Sequence, residues 1–417
     1  MDQMATVVAE PREDALRCSL DRLDMSDPRY YQQDTWRPYF ERLRREAPVH
    51  YCAQSQHGAY WSLTRYKDIM NCAIDHGSFS SVGRGISFED MPEEMERHSF
   101  ILMDPPKHTE RRKIVAPIIA PTNLKNMESL IRDRTGKVLD GLPRNETFDW
   151  VELVSRDLTM KMLATLFGVP LEERHKLSHW SDVASANLNA PDAPVHTEEE
   201  RYTEMKEMAA YMKGLLDERG RQPPRFDLLS MLAHGEGVQE MPLSELLGTL
   251  MLLIVGGNDT TRNAMSGGLI GLNEFPDEYR KLMANPALME SAVPEIIRYS
   301  SPVIHIRRTT QSEVIVGDQR IPAGEKVILW YISGSRDEEM IEAPDRLIVD
   351  RVKPRQHLAF GAGIHRCVGD RLAELQLRIL WEEILKRFPM IEVVGPPVRA
   401  YSNLLRGIRS LPVRIPG

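Results

Sequence analysis

A mainly α-helical fold with small β-sheets is what this sequence of 417 residues predicts. Apolar residues recur at helical spacing in long runs through most of the chain. Leu243 to Phe275 is the longest such run; at 1.5 Å per residue it would extend roughly 50 Å and cross the whole domain. β character concentrates in Val303–Ile332, with turns at Gly317-Asp318 and Pro322-Ala323-Gly324, and returns weakly after Pro389. Apolar and charged fractions of 42% and 27% are those of a globular protein with an ample core.

Residues 1–28 read as a flexible lead-in and 29–417 as a single domain, with no internal repeat or low-complexity linker. Tyr30–Glu46 carries Trp36, Tyr39, Phe40 and Leu43 at helical spacing, and Val49–Thr64 alternates about His57-Gly58 as a hairpin. Phe79–Phe100, with Gly83, Gly85 and many acidic residues, reads as a long irregular loop, a kind of segment often tied to function. Pro105-Pro106 can open a helix bearing His108, Arg111, Arg112 and Lys113. Leu124–Leu142, Trp150–Phe167, Leu171–Ala186, Glu198–Arg219 and Ala287–Ser300 follow as helices, with a polar connection at Asn187–Thr197.

A formal charge of -8 argues against nucleic acid as a partner. The four cysteines, Cys18, Cys52, Cys72 and Cys367, show no CxxC spacing and fit a reducing compartment. The first residues lack a basic and apolar leader, and Leu246–Val255 is too short to span a bilayer. A cytoplasmic protein with no integral membrane anchor is the expectation.

Three motifs carry chemistry. Phe360-Gly361-Ala362-Gly363-Ile364-His365-Arg366-Cys367-Val368-Gly369 sets one thiol among glycines at the mouth of a helix from Asp370 to Phe388. Backbone amides and the helix dipole there favour a thiolate, hence a metal ligand or nucleophile; the alternative is an inert buried cysteine. Gly256-Gly257-Asn258-Asp259-Thr260-Thr261 interrupts the longest helix with residues of low helix propensity. The glycines let something lie against the backbone beside an acid and a hydroxyl, unless the helix is simply kinked there. Glu295 and Arg298, spaced i, i+3 among Val293, Ile296 and Ile297, suggest a structural clamp; otherwise they are an ordinary surface pair.

In this order the three motifs resemble the cytochrome P-450 superfamily of haem-thiolate monooxygenases, from about Tyr30 to the C-terminus. The resemblance implies the cytochrome P-450 fold, a triangular-prism helical domain with haem b between the long central helix and the cysteine-loop helix. Cys367 would be the metal ligand, within a loop formed by Phe360, Gly361, His365 and Gly369. Thiolate ligation favours O–O cleavage. His108, Arg112, Arg307 and His365 would meet the haem propionates, and Gly256 with Gly257 would leave a groove for O2. Thr260 would hydrogen-bond the oxygen and Asp259 would relay protons from solvent.

The resemblance is to bacterial systems in which NAD(P)H supplies electrons through a ferredoxin reductase and a small acidic ferredoxin. Arg111, Arg112, Lys113, Arg355, Arg366 and Arg371 could form the docking patch of a monomeric enzyme. Leu252–Asn263, Gln376–Ile384 and Met103–His108 are similar to the branch that hydroxylates medium-chain n-alkanes and fatty acids at the terminal carbon; Ser335 stands where that branch has asparagine. The apolar candidates for the substrate pocket are Ile101, Leu102, Leu252, Val255, Val303, Ile304, Leu404 and Leu405. Alternatives are a terpene or steroid hydroxylase, a non-oxidative haem-thiolate sensor, and a nucleophilic dyad of Cys367 with His365.

Overall fold

Element boundaries follow local signals in the chain. The computed structural model describes residues 11–82, 85–90, 99–235, 238 and 241–417; the first ten residues of the expected lead-in and positions 83–84 and 91–98 of the irregular loop lie outside the described residues. Helix α1 covers residues 11–17. Residues 11–28 do not trail from the domain: Ala15, Leu23 and Met25 are buried, the Tyr39 hydroxyl donates to Asp14, and that of Tyr60 donates to Asp24 at 2.8 Å. The helix expected over Tyr30–Glu46 is divided into α2 (Arg29–Gln32) and α3 (Arg37–Glu46). Asp34 breaks it with a left-handed backbone (φ 57°), and its carboxylate gathers Arg37, Arg399 and Arg406.

Strands β1 (Val49–Cys52) and β2 (Tyr60–Leu63) form the expected hairpin. Helix α4 (Tyr66–Ile74) and strand β3 (Phe79–Ser80) follow, then α5 (Lys107–Val115) immediately after Pro105-Pro106. A proline in the first turn opens α6 (Pro121–Asp140). Strand β4 (Thr147–Asp149) and a π-type turn, Val151–Arg156, lead into α7 (Asp157–Phe167) and α8 (Arg174–Ser185). A capping box, in which Thr197 and Glu200 satisfy each other's backbone amides, starts α9 (Glu198–Gly220). Helices α10 (Leu228–His234), α11 (Leu243–Glu274), α12 (Pro276–Ala284) and α13 (Met289–Ser300) complete this part.

The remaining strands are β5 (Ile306–Thr310), β6 (Val314–Val316), β7 (Gln319–Ile321) and β8 (Lys326–Leu329). They are followed by α14 (Tyr331–Gly334), α15 (Asp370–Arg387), β9 (Glu392–Val393), β10 (Val398–Arg399), β11 (Ile408–Ser410) and β12 (Pro412–Arg414). The largest sheet has the order β1-β2-β8-β5-β3; the others hold two or three short strands. Helix α11 is the axis of the molecule. Its first half packs with α7 and α8 in one apolar cluster, and its second half with α13 and α15 in another. Among the described residues no helix is long and apolar enough to cross a membrane.

Glu295 and Arg298 are completely buried, which removes the surface-pair alternative. Arg298 grips the carboxylate with Nε at 2.7 Å and Nη2 at 2.8 Å. Arg351, which the sequence reading did not single out, adds Nε at 2.8 Å and Nη2 at 3.0 Å, and the Ile348 amide donates at 2.9 Å. Arg298 also donates to the carbonyls of Ser335, Pro344 and Arg346. A buried carboxylate saturated in this way is sustained by its partners, and removing its charge leaves two guanidinium groups unmatched. Glu295→Gln is therefore expected to cost about 3–5 kcal/mol, read as a lower urea midpoint at unchanged m-value. Breaking the exposed Arg320–Glu313 pair is expected to leave the midpoint where it is.

Candidate active site

Cys367 sits two residues before the N-cap of α15, in a loop closed by its own backbone. The Cys367 amide donates to the Phe360 carbonyl at 2.8 Å, Gly361 to Leu358 at 2.8 Å, and Arg366 to Gly363 at 3.1 Å. Gly363 is at φ 64°, and a Cβ there would fall 2.1 Å from the Ala73 carbonyl oxygen at the end of α4. Only glycine allows the loop to press so close to that helix. The sulfur presents its surface to an internal cavity, so it counts as exposed although protein encloses it. Burial pushes the thiol up to about 11 against the opposing pull of the Gly369 N–H and of Arg112 and Arg366. The Gly369 amide favours the thiolate, as the sequence suggests, and desolvation by burial acts against it. A metal that replaces the proton would supply the missing charge.

Opposite the sulfur, the cavity wall is α11. A Cβ on Gly256 would meet nothing within 4 Å, so the backbone is open there. Gly257 has a second task, since a Cβ would come 2.9 Å from Leu163 of α7. Thr260 lines the same cavity and donates through Oγ1 to the Gly256 carbonyl at 2.5 Å. Asp259 is buried but faces away, toward α8. It accepts from Ser181 at 3.1 Å and Ser185 at 3.0 Å, and Arg262 reaches it at 2.6 Å. Burial is the main cause raising the Asp259 carboxyl above the ordinary range, aided by Asp182 and opposed by Arg262 and the two serines.

One edge of the cavity is rich in nitrogen. His365 lines it and His108 packs behind, their rings 4.4 Å apart, and neither ring has a hydrogen-bond partner on either nitrogen. Arg112 and Arg308 line the cavity with His365, and Arg308 Nη2 is buried without a hydrogen bond. Burial first, then the guanidinium groups, push His108 down and His365 down to about 2, so both rings are neutral donors or acceptors. Orphaned buried nitrogens converging beside two guanidiniums are an arrangement that anionic oxygens would satisfy. A flat, apolar-bodied group with two carboxylates on one edge and a sulfur-seeking metal at its centre fits this slot. Haem meets that description.

Arg307 does not belong to this edge. Successive residues of a strand face opposite ways, so β5 turns Ile306 and Arg308 to the cavity while Arg307 pairs with Asp90 at 2.5 Å. The guanidinium on this edge is that of Arg308, one residue further along. Recognising Ile306 as a lining residue would have identified Arg308 from the alternation alone.

The apolar candidates divide similarly. Ile101, Leu252 and Val303 line the cavity, joined by Phe100, Leu163 and Ile306, which the sequence reading missed. Leu102 and Val255 are not among its lining. Ile304 is buried instead in the core with Phe88 and Trp330. Leu404 and Leu405 serve as backbone: the Ile304 amide donates to the Leu404 carbonyl at 2.9 Å, and Leu405 bridges to Val303 while its side chain borders a separate polar cavity.

Residues 29–406 match the family described as cytochrome P-450. The chain is 34% identical over 405 residues to a linalool 8-monooxygenase of Pseudomonas putida, covering 94% of this chain and 99% of the relative. It is 30% identical over 389 residues to a methyl-branched lipid omega-hydroxylase of Mycobacterium tuberculosis, covering 90% of each. Among solved structures it is similar to CYP153D17 from Sphingomonas sp. PAMC 26605, with a TM-score of 0.90 and 45% identity over 96% of this chain and 100% of that one.

The exchange of the two arginines can be checked directly. Arg308→Leu is expected to lower bound haem per polypeptide severalfold, measured by pyridine haemochrome absorbance, whereas Arg307→Leu leaves haem content near wild type.

Proposed function

The chain belongs to the cytochrome P-450 family of haem-thiolate monooxygenases, and from that premise we propose that it hydroxylates the terminal carbon of an apolar chain, a medium-chain n-alkane or a fatty acid. The observation that carries this reading is the character of the substrate wall. Phe100, Ile101, Leu163, Leu252, Val303 and Ile306 line it, and none is ionisable. Each buried methylene contributes about 0.8 kcal/mol, so a chain can be held there without a polar anchor. Primary C–H bonds are the strongest in such a chain, and terminal attack therefore has to be enforced by orientation. The apolar wall would present the methyl end alone.

Bound haem supplies the activation of O2. In this proposal Cys367 ligates the metal, and His108, Arg112, Arg308 and His365 hold the two acid groups. Thr260 would turn its hydroxyl from the Gly256 carbonyl to the open face, and Asp259 is the acid that would replenish its proton. A second reading, hydroxylation of a terpene, is favoured by the linalool 8-monooxygenase relative. A branched chain would demand a broader cavity than a linear one.

Electrons would come from NAD(P)H through a reductase and an acidic ferredoxin docking near the cysteine loop. Lys113, Arg366 and Arg371 are exposed there. Arg111 is less suited than its position in sequence suggests, because Glu245 holds it at 2.7 Å, and Arg355 is paired with Glu374 at 2.9 Å.

Reduced protein exposed to carbon monoxide should show the red-shifted Soret band of thiolate ligation; its absence would end the haem-thiolate reading. Thr260→Ala is expected to keep consuming NAD(P)H while diverting oxygen to peroxide, and unchanged coupling would remove Thr260 from the scheme. With a surrogate redox pair, octane and dodecanoate should give terminal alcohols. Selective turnover of a terpene panel would favour the second reading. Lys113→Glu and Arg371→Glu should slow ferredoxin-dependent reduction and flatten its dependence on salt.

A further inference from the structure

Strand β5 presents Ile306 and Arg308 to the cavity and turns His305 and Arg307 the other way. One of its edges pairs with β8 along Ile306–Thr309. The other edge meets β3 only at Thr309 and Thr310. At Arg307 that second edge is closed instead by residues 85–90, a strap drawn from the irregular loop: the Arg307 amide donates to the Ile86 carbonyl at 2.9 Å.

Side chains fasten the strap to the face of β5 that looks away from the cavity. Arg307 pairs with Asp90 at 2.5 Å. His305 commits Nδ1 to the Asn403 carbonyl at 2.9 Å, which leaves Nε2 to accept the Ser87 hydroxyl at 3.1 Å. Burial pushes this ring down to about 3, so it stays a neutral acceptor. Phe88 is buried, its ring set against those of His57, Tyr60, His305 and Trp330 at distances from 4.6 Å (His305) to 5.7 Å (Trp330). From β8, Lys326 Nζ donates to the Phe88 carbonyl at 2.5 Å and to the His57 carbonyl at 2.9 Å.

Arg307 thus stands between two residues that line the cavity while its own side chain and amide are held from outside. A packed strand transmits such a hold to its neighbours. Phe88 belongs to the core, whereas Asp90 is 45% exposed, so the ion pair is the fastening that can be removed without opening the fold.

We propose that Asp90 and Arg307 are positioning residues that set substrate specificity from outside the cavity, bracing β5 inward so that the space beside Val303 and Ile306 admits an unbranched chain in preference to a branched one. The inference rests on the terminal-hydroxylation reading and names the residues that fix the cavity breadth on which its two alternatives differ. Neither residue borders the cavity.

The test uses the haem-loaded full chain with Asp90→Asn and Arg307→Gln, and octane and linalool as probes. Amide hydrogen exchange at residues 86–90 and at Arg307 should speed up in both variants while haem content stays at the wild-type level. The dissociation constant read from the substrate-induced spectral shift should rise for octane and fall for linalool, each by roughly fivefold, the size of one partly exposed ion pair. The ratio of terminal to subterminal alcohol from octane should drop by a similar factor, and Asp90→Glu, which keeps the carboxylate, should restore both binding and ratio. Unchanged exchange overturns the proposal, because the pair then does not hold the strap. Faster exchange with both dissociation constants unmoved, or moved in the same direction, also overturns it, since a merely structural brace would do that. A wild-type protein that makes no terminal alcohol from octane overturns the terminal-hydroxylation reading instead, and the opposed binding shifts still decide the role of Asp90 and Arg307.

Discussion

One buried carboxylate, that of Glu295, anchors the cysteine. Arg298 and Arg351 grip it, and Arg298 also donates to the Ser335 carbonyl at 3.0 Å. The Ser335 hydroxyl accepts the Leu358 amide at 3.0 Å, and the Leu358 carbonyl accepts that of Gly361. The next link is the bond from Cys367 to Phe360. A series of hydrogen bonds joined through the backbone thus runs from an ion cluster on α13 to the Cys367 amide. Its members lie far apart in sequence, and each would be costly to leave unpaired. The position of the thiol is over-determined before any metal binds.

Long helix α11 separates two kinds of work. Its Gly256 face offers bare backbone and the Thr260 hydroxyl to an apolar space, while its Asp259 face is packed with charge and hydroxyl groups from α8. The acid and the apolar space thus lie on opposite sides of one helix.

How much was legible in the sequence depended on whether function lay in local pattern or in register. The cysteine loop, the Gly256–Thr261 interruption and the Glu295–Arg298 pair are local, and the chain announces each by breaking a propensity or placing charge among apolar residues. The long helix was readable almost to the residue, from Leu243 to Glu274. The nitrogen-rich edge was harder because Arg307 and Arg308 are adjacent, and only the pairing of β5 with its neighbours says which one faces inward. Arg351 was invisible because its partner is 56 residues away. Leu404 and Leu405 misled because apolar side chains near a cavity can still contribute chiefly backbone.

The near contact of Gly363 with Ala73 makes the cysteine loop and α4 one inseparable unit, although the two residues are far apart in the chain. Shuffling segments among relatives would have to respect that coupling. A crossover that brings in a foreign α4 ending one residue later would drive a carbonyl into the loop and displace the sulfur, without altering any residue that touches haem or substrate. In a recombined library, loss of haem would then map to the outer surface of the cysteine loop, a place where an inspection of the cavity alone would find nothing wrong.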